Sequence, residues 1–232
     1  MDAVDSFIVR QISLYQVFAI GALIVGGCFW WWSARADARL WWIYGGGVIG
    51  GLLGAKIAYL LAEGWIHADH PQRWAFWLTG KSVMGALPGG WIGVELAKRR
   101  CDFRQNTGDR FALALPLPLM FGRFGCLQAG CCQGIATSQG RWPAVEVEVI
   151  FLAGMLGLLL VLRAKKLLIG QNFHGFLMIY SLFRFGHEFL RATPKIMGSL
   201  SGYQCIAAVT FVAAWVAFRH RQKQNHGSAA LT

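Results

Sequence analysis

Seven apolar stretches, near residues 13–32, 41–62, 76–97, 111–132, 145–162, 173–190 and 202–218, are each close to the roughly 20 residues that a helix needs to cross a hydrocarbon core. In lipid every backbone N–H and C=O must be satisfied within the chain, so stretches of this length fold as helices. The sequence therefore predicts an all-α polytopic membrane protein with about seven transmembrane helices. Hydrophobic residues make up 56% of the 232 and charged residues only 14%. The mean hydropathy of +0.45 likewise excludes an ordinary soluble domain. Pro116, Pro118 and several glycines interrupt the fourth stretch, which predicts a kinked or partly unwound segment lined by protein or water.

The formal charge of +11 raises the question of nucleic acid, but the basic residues lie between the apolar stretches and form no separate domain. Their placement alternates from loop to loop. Arg35 and Arg39, then Lys98, Arg99, Arg100, Arg104 and Arg110, then Arg163, Lys165 and Lys166, and finally Arg219, Arg221 and Lys223 fall on one side. The other side holds Arg10, Arg73, Lys81, Arg141, Arg191 and Lys195. By the positive-inside rule the amino terminus lies outside and the carboxyl terminus in the cytoplasm. No nucleic-acid partner is expected. Residues 1–11 lack a basic start and the first stretch ends at Trp30–Trp32 without a small-residue cleavage site, so no cleavable signal is expected. These tryptophans, with Trp41, Trp42, Trp65, Trp74 and Trp77, occupy stretch ends as interfacial anchors do.

With short loops and no repeat, residues 1–221 read as a single helical membrane domain, followed by a polar cytoplasmic tail, 222–232, expected to be disordered. Gly45–Gly47, Gly50, Gly51 and Gly54, and Gly85, Gly89, Gly90 and Gly93 recur at spacings that let helix backbones approach closely.

Lys56, Arg123 and Arg184 lie at apparent membrane depth. A guanidinium stays charged at any biological pH, so Arg123, inside the run Gly122–Gly134, must meet a partner, a cavity or a lipid phosphate. Tyr180, Arg184 and Glu188 are spaced i, i+4 and i+8 and share one helical stripe. Facing a second arginine, that stripe suits a site that holds an anion and moves a proton, although Arg184 and Glu188 also suit a structural ion pair. Lys56 and Glu63 read equally as an intrahelical pair. Of Glu146 and Glu148, two apart on a helix, at most one points fully inward. His187 reads as a hydrogen-bonding filler or a base. Cys126, Cys131 and Cys132 lack the spacing of Cys-x-x-Cys sites and have no histidine cluster nearby, so no metal is expected, while a disulfide among them remains open.

The order of these motifs resembles the prolipoprotein diacylglyceryl transferase family. Gly122-Arg123-Phe124-Gly125 resembles the start of the signature Gly-Arg-x-Gly-Asn-Phe-x-x-Gly-Glu, with Cys126 in place of the asparagine and Cys131 of the glutamate, and Gly134 matches the glycine that closes the motif three residues further on. Pro88-Gly89-Gly90-Trp91-Ile92-Gly93 resembles His-Gly-Gly-Leu-Ile-Gly with proline for histidine. Gly50–Gly54 resembles the early glycine-rich motif with Leu52 for its arginine, and Pro143 and Glu148 fit His-Pro-x-x-Leu-Tyr-Glu. Tyr180, Arg184, Glu188 and Arg191 fit Tyr-x-x-x-Arg-x-x-x-Glu-x-x-Arg without a gap.

The resemblance implies a divergent member in a bacterial inner membrane, needing no cofactor, that moves diacylglyceryl from phosphatidylglycerol, or a similar anionic phospholipid, to an acceptor. In the family that acceptor is a lipobox cysteine. Arg123 and Arg184 would hold the phosphate, because planar guanidinium forks pair bidentately with its oxygens, and Glu188 would orient Arg184. Tyr180, Lys56, Glu148, Gly125 and Gly134 would line the lipid site. On the acceptor side stand Cys126, Cys131, Cys132 and His187. Loss of the family's histidine, asparagine and glutamate implies either a reassigned base or a protein of another class: a non-catalytic lipid-binding or assembly subunit, or a thiol-dependent membrane oxidoreductase.

Overall fold

A computed structural model describes residues 3–35, 37–69, 71, 73–196 and 198–229. In chain order its helices are α1 Ala3–Ser33, α2 Arg39–Ala62, α3 Arg73–Thr79, α4 Val83–Arg100, α5 Gly108–Ala114, α6 Pro116–Ala129, α7 Ala144–Ala164, α8 Asn172–His187 and α9 Gly202–Ala229. Two short strands, β1 Ala136–Thr137 and β2 Gly140–Arg141, form an antiparallel hairpin between α6 and α7. Among the described residues five helical segments are long and apolar enough to cross a membrane: Gln16–Ser33, Arg39–Ala62, Gly108–Ala129, Ala144–Ala164 and Gly202–Lys223.

The third and sixth apolar stretches are helical as well, but each falls short for a physical reason. Gly80–Ser82 separates α3 from α4, and α4 carries Glu95, Lys98, Arg99 and Arg100 in its last turns. The other, α8, has 16 residues before the chain tightens into a 3-10 turn at Glu188–Leu190. The irregularity expected in the fourth stretch lies at Leu115, between α5 and α6. Pro116 occupies the first turn of α6, where its missing N–H is tolerated.

Trp30 departs from its expected place among the interfacial anchors. Only 1% exposed, it stacks on Phe111 with ring centroids 4.4 Å apart, whereas Trp31 and Trp32 are exposed. Successive residues at the end of α1 point in different directions, so three tryptophans in a row cannot all face lipid.

The chain divides into two compact units. The first comprises Met1–Ser33, Thr107–Phe173 and Leu190–Ala192, and in it α6 packs against α1 and α7. The second comprises Ala34–Asn106, His174–Phe189 and Thr193–Thr232, and its main interface pairs α2 with α4. Helix α9, Gly202–Ala229, belongs to this unit.

Glycines set the α2–α4 interface. Gly46, Gly50 and Gly54 oppose Gly93, Gly89 and Gly85 in antiparallel register, one turn apart. A Cβ at Gly46 would sit 2.8 Å from the Gly93 carbonyl oxygen, and one at Gly50 would sit 2.9 Å from Gly93 Cα. The glycine-rich runs are therefore packing surfaces, on which one backbone lies directly against the other.

Candidate active site

In the first unit α6 carries Arg123 on its buried face, beside Gly125 and Cys126. Pro143 precedes α7, whose early turns bury Glu148 and leave Glu146 exposed, so one of the two glutamates faces inward. Glu148 is 0% exposed and Arg123 7%, and Arg123 Nη2 lies 2.9 Å from Glu148 Oε1. Each ion offsets the desolvation cost of the other. Removing one partner from such a pair typically costs about 3–5 kcal/mol, because it strands a buried charge.

The other side of the same guanidinium faces sulfur. Arg123 Nη1 is 3.9 Å from Cys126 Sγ and 3.8 Å from Cys132 Sγ. Helix α6 stops at Gly130, which takes the left-handed conformation at φ 62° and returns the Cys131 N–H to the Cys126 carbonyl at 3.2 Å. Cys132 is itself left-handed at φ 60°, an uncommon state for a residue with a Cβ. The turn folds Cys131 and Cys132 back over Cys126, and the three Sγ atoms lie within 4.8 Å of one another. All six cysteines are free thiols.

Beyond the end of the span, hydrogen bonds from Cys126 and Cys131, with the positive charges of Arg123 and Arg191, hold the Cys132 thiol far below its usual range. The same contacts from Cys126 and Cys132 push Cys131 up.

After this turn Gly134 bridges to Arg191, Ile135 N–H donates to the Leu190 carbonyl at 3.0 Å, and Ala192 N–H donates to Gln133 at 3.1 Å. A Cβ on Gly134 would lie 2.6 Å from Trp142 Cβ, so glycine is required by close packing. Arg191, which the sequence reading assigned to an outer loop, is 6% exposed and tied to the cysteine segment.

In the second unit α8 carries Tyr180, Arg184 and His187, all buried. Arg184 Nη2 is 2.9 Å from Glu188 Oε2 one turn later, with the two residues 4% and 1% exposed. Glu188 Oε1 accepts from Thr193 Oγ1 at 2.6 Å and from Ser201 Oγ at 3.4 Å, while Lys195 Nζ donates to the Glu188 carbonyl at 2.9 Å. These contacts hold the Glu188 carboxylate in place and fix the Arg184 fork. The stripe spacing found Arg184 and Glu188. It missed Thr193, Lys195 and Ser201, which come from an irregular segment with no periodic signal.

Tyr180 is 0% exposed and stacked on Phe176, with centroids 5.8 Å apart. His187 stacks on Phe183 at 4.9 Å. Lys56 donates to the carbonyls of Trp77 and Gly80, a cap on the end of α3.

These two arginine sites lie within a chain whose residues 4–219 match a family model described as prolipoprotein diacylglyceryl transferase. A phosphatidylglycerol–prolipoprotein diacylglyceryl transferase 2 of Clostridium perfringens is 31% identical over 180 residues, 69% of this chain and 70% of the relative. The transferase of Clostridium tetani is 28% identical, covering 72% of this chain and 74% of the relative. That of a Dehalococcoides mccartyi strain is 24% identical over 99% of this chain and 96% of its own. The motif order, the buried arginines and a match along nearly the whole length agree: the chain belongs to the prolipoprotein diacylglyceryl transferase family.

Proposed function

We propose that the protein transfers a diacylglyceryl unit from phosphatidylglycerol, or a similar anionic phospholipid, to an acceptor thiol such as the lipobox cysteine of a prolipoprotein. The names of the relatives support the donor and acceptor classes. The observation that carries the reading is the buried Arg123–Glu148 pair, which keeps inside an apolar helix a guanidinium, the group whose fork suits a phosphodiester.

In the reaction the acceptor sulfur attacks the glyceryl carbon that bears the phosphate. The C–S bond forms, the C–O bond breaks, and the head group leaves as a phosphomonoester. Negative charge builds on the departing phosphate oxygen. A preorganised guanidinium stabilises that charge more than it stabilises the starting diester. Arg123 and Arg184 are assigned to this phosphate. Glu188 orients Arg184, and Tyr180, Lys56, Glu148, Gly125 and Gly134 belong to the lipid-binding framework. The acceptor proton goes to one of His187, Glu148 or a thiolate of the cysteine group.

The protein would sit in the bacterial inner membrane with seven spans, α4 and α8 completing the set, its amino terminus outside and its carboxyl terminus in the cytoplasm. Charge in α4 and the shortness of α8 are compatible with spans that carry polar residues within a bundle.

A second reading, a lipid-binding subunit without turnover, is favoured by the exchange of the signature's asparagine and glutamate for Cys126 and Cys131. Purified protein given phosphatidylglycerol labelled in its acyl chains and a lipobox peptide separates the two. Labelled peptide supports transfer, whereas retained lipid with no labelled product supports binding alone.

A further inference from the structure

The transfer reaction calls on the three cysteines for at most one thiolate, as a candidate base, and leaves their grouping unexplained. A tetrahedral ion with metal–sulfur bonds of about 2.3 Å holds its sulfurs about 3.8 Å apart. The three Sγ atoms, already within 4.8 Å of one another, need to close by about 1 Å at most to reach that spacing. The linear spacing lacks a Cys-x-x-Cys pair. The turn supplies what the spacing lacks, since Gly130 and the left-handed Cys132 bring neighbouring thiols to one side of Cys126. A side chain held at positive φ points to a constraint beyond chain connection.

Charge fits the same assignment. Three thiolates around a divalent ion leave one net negative charge. The positive charges of Arg123 and Arg191 both act on Cys132. Arg123 Nη1 also donates toward Cys126 Sγ and Cys132 Sγ, as outer hydrogen-bond donors to metal-bound sulfur do. Access is open from one side: Cys126 is buried, Cys132 half-buried and Cys131 exposed.

We propose that Cys126, Cys131 and Cys132 bind a thiophilic divalent cation of the zinc class through three sulfurs, leaving a fourth position for an external ligand. Three protein ligands plus an open position is the arrangement of reactive rather than purely structural zinc sites. The thiol of an acceptor peptide is a ligand of the right chemistry for that position.

The test uses the full chain, reduced and without oxygen, in detergent micelles, with Co2+ and then Zn2+ as probes. A thiolate-to-cobalt charge-transfer band with the visible bands of a tetrahedral ion is expected, and one equivalent of Zn2+ should remove it. Cys126→Ser and Cys132→Ser should each weaken Co2+ binding by roughly tenfold or more. A chain with Cys28, Cys101 and Cys205 all changed to serine should bind as wild type does, with unchanged circular dichroism. Absence of the band in fully reduced protein, or a band that survives Cys126→Ser and Cys132→Ser, overturns the proposal. The readout involves no lipid, so failure here is distinct from failure of the transferase reading.

Discussion

Glu148 Oε1 and Arg123 Nη2 are 2.9 Å apart, and the glutamate has no exposed surface at all. The pair ties α7 to α6 inside the first unit and fixes the guanidinium edge that faces Cys126 and Cys132.

Glu148→Gln should therefore destabilise the protein more than a change at the surface does. The expected loss is about 3–5 kcal/mol, seen as a lowered midpoint of thermal unfolding in detergent. Changing both partners to apolar residues, Arg123→Met with Glu148→Leu, should recover much of that stability while transfer stays at least about 10²-fold below wild type. Equal loss from the double change would mean that the pair is not the source of the effect.

Gly89→Ala should separate α2 from α4, since the added methyl would overlap the Gly50 carbonyl oxygen. Overpacking of this kind costs about 1–3 kcal/mol. Gly154→Ala on α7, where a Cβ meets nothing within 4 Å, should stay within about 0.5 kcal/mol of wild type. The two unfolding curves compared side by side check the backbone contact.

Cys132 should be the thiol most readily alkylated at neutral and mildly acidic pH. Its hydrogen bonds from Cys126 and Cys131, together with Arg123 and Arg191, favour the thiolate, so reactivity persists below the pH at which an ordinary thiol protonates. Arg123→Ala should move the reactivity profile of Cys132 to higher pH. Peptide mapping after iodoacetamide treatment across a pH series measures both; preferential labelling of Cys131 would contradict the assignment.

Thr193→Val should lower transfer less than Glu188→Ala does. Ser201 continues to donate to Glu188 Oε1 after the threonine change, whereas loss of the carboxylate frees the Arg184 fork. Initial rates with labelled phosphatidylglycerol, and unfolding midpoints for both variants, distinguish positioning from folding.

Periodicity carried most of the fold into view. Each apolar stretch overlaps one or two of the helices, and the i, i+4 stripe located Arg184 and Glu188 because helical spacing alone fixes which side chains coincide. The break at Leu115 was legible from Pro116 and Pro118. What escaped the sequence depends on turns. No linear spacing announces that Gly130 and Cys132 would fold three sulfurs together, or that the segment after Glu188 would return Thr193 and Ser201 to its carboxylate. The α3–α4 break falls on Thr79-Gly80-Lys81-Ser82, a polar, glycine-containing run whose turn signal is averaged away when 76–97 is taken as one apolar stretch. That Arg191 is buried beside Gly134 was not legible either, because a cation outside the apolar stretches carries no signal of burial in a linear sequence.

The most direct test of the transferase reading is the yield of acyl-labelled lipobox peptide from purified protein and phosphatidylglycerol, compared with Arg123→Ala and Arg184→Ala. Loss of one preorganised donor to a developing oxyanion lowers rates by about 10²–10³-fold, and each arginine variant is predicted to fall by that order. A wild-type yield from the variant carrying both Arg123→Ala and Arg184→Ala would contradict it.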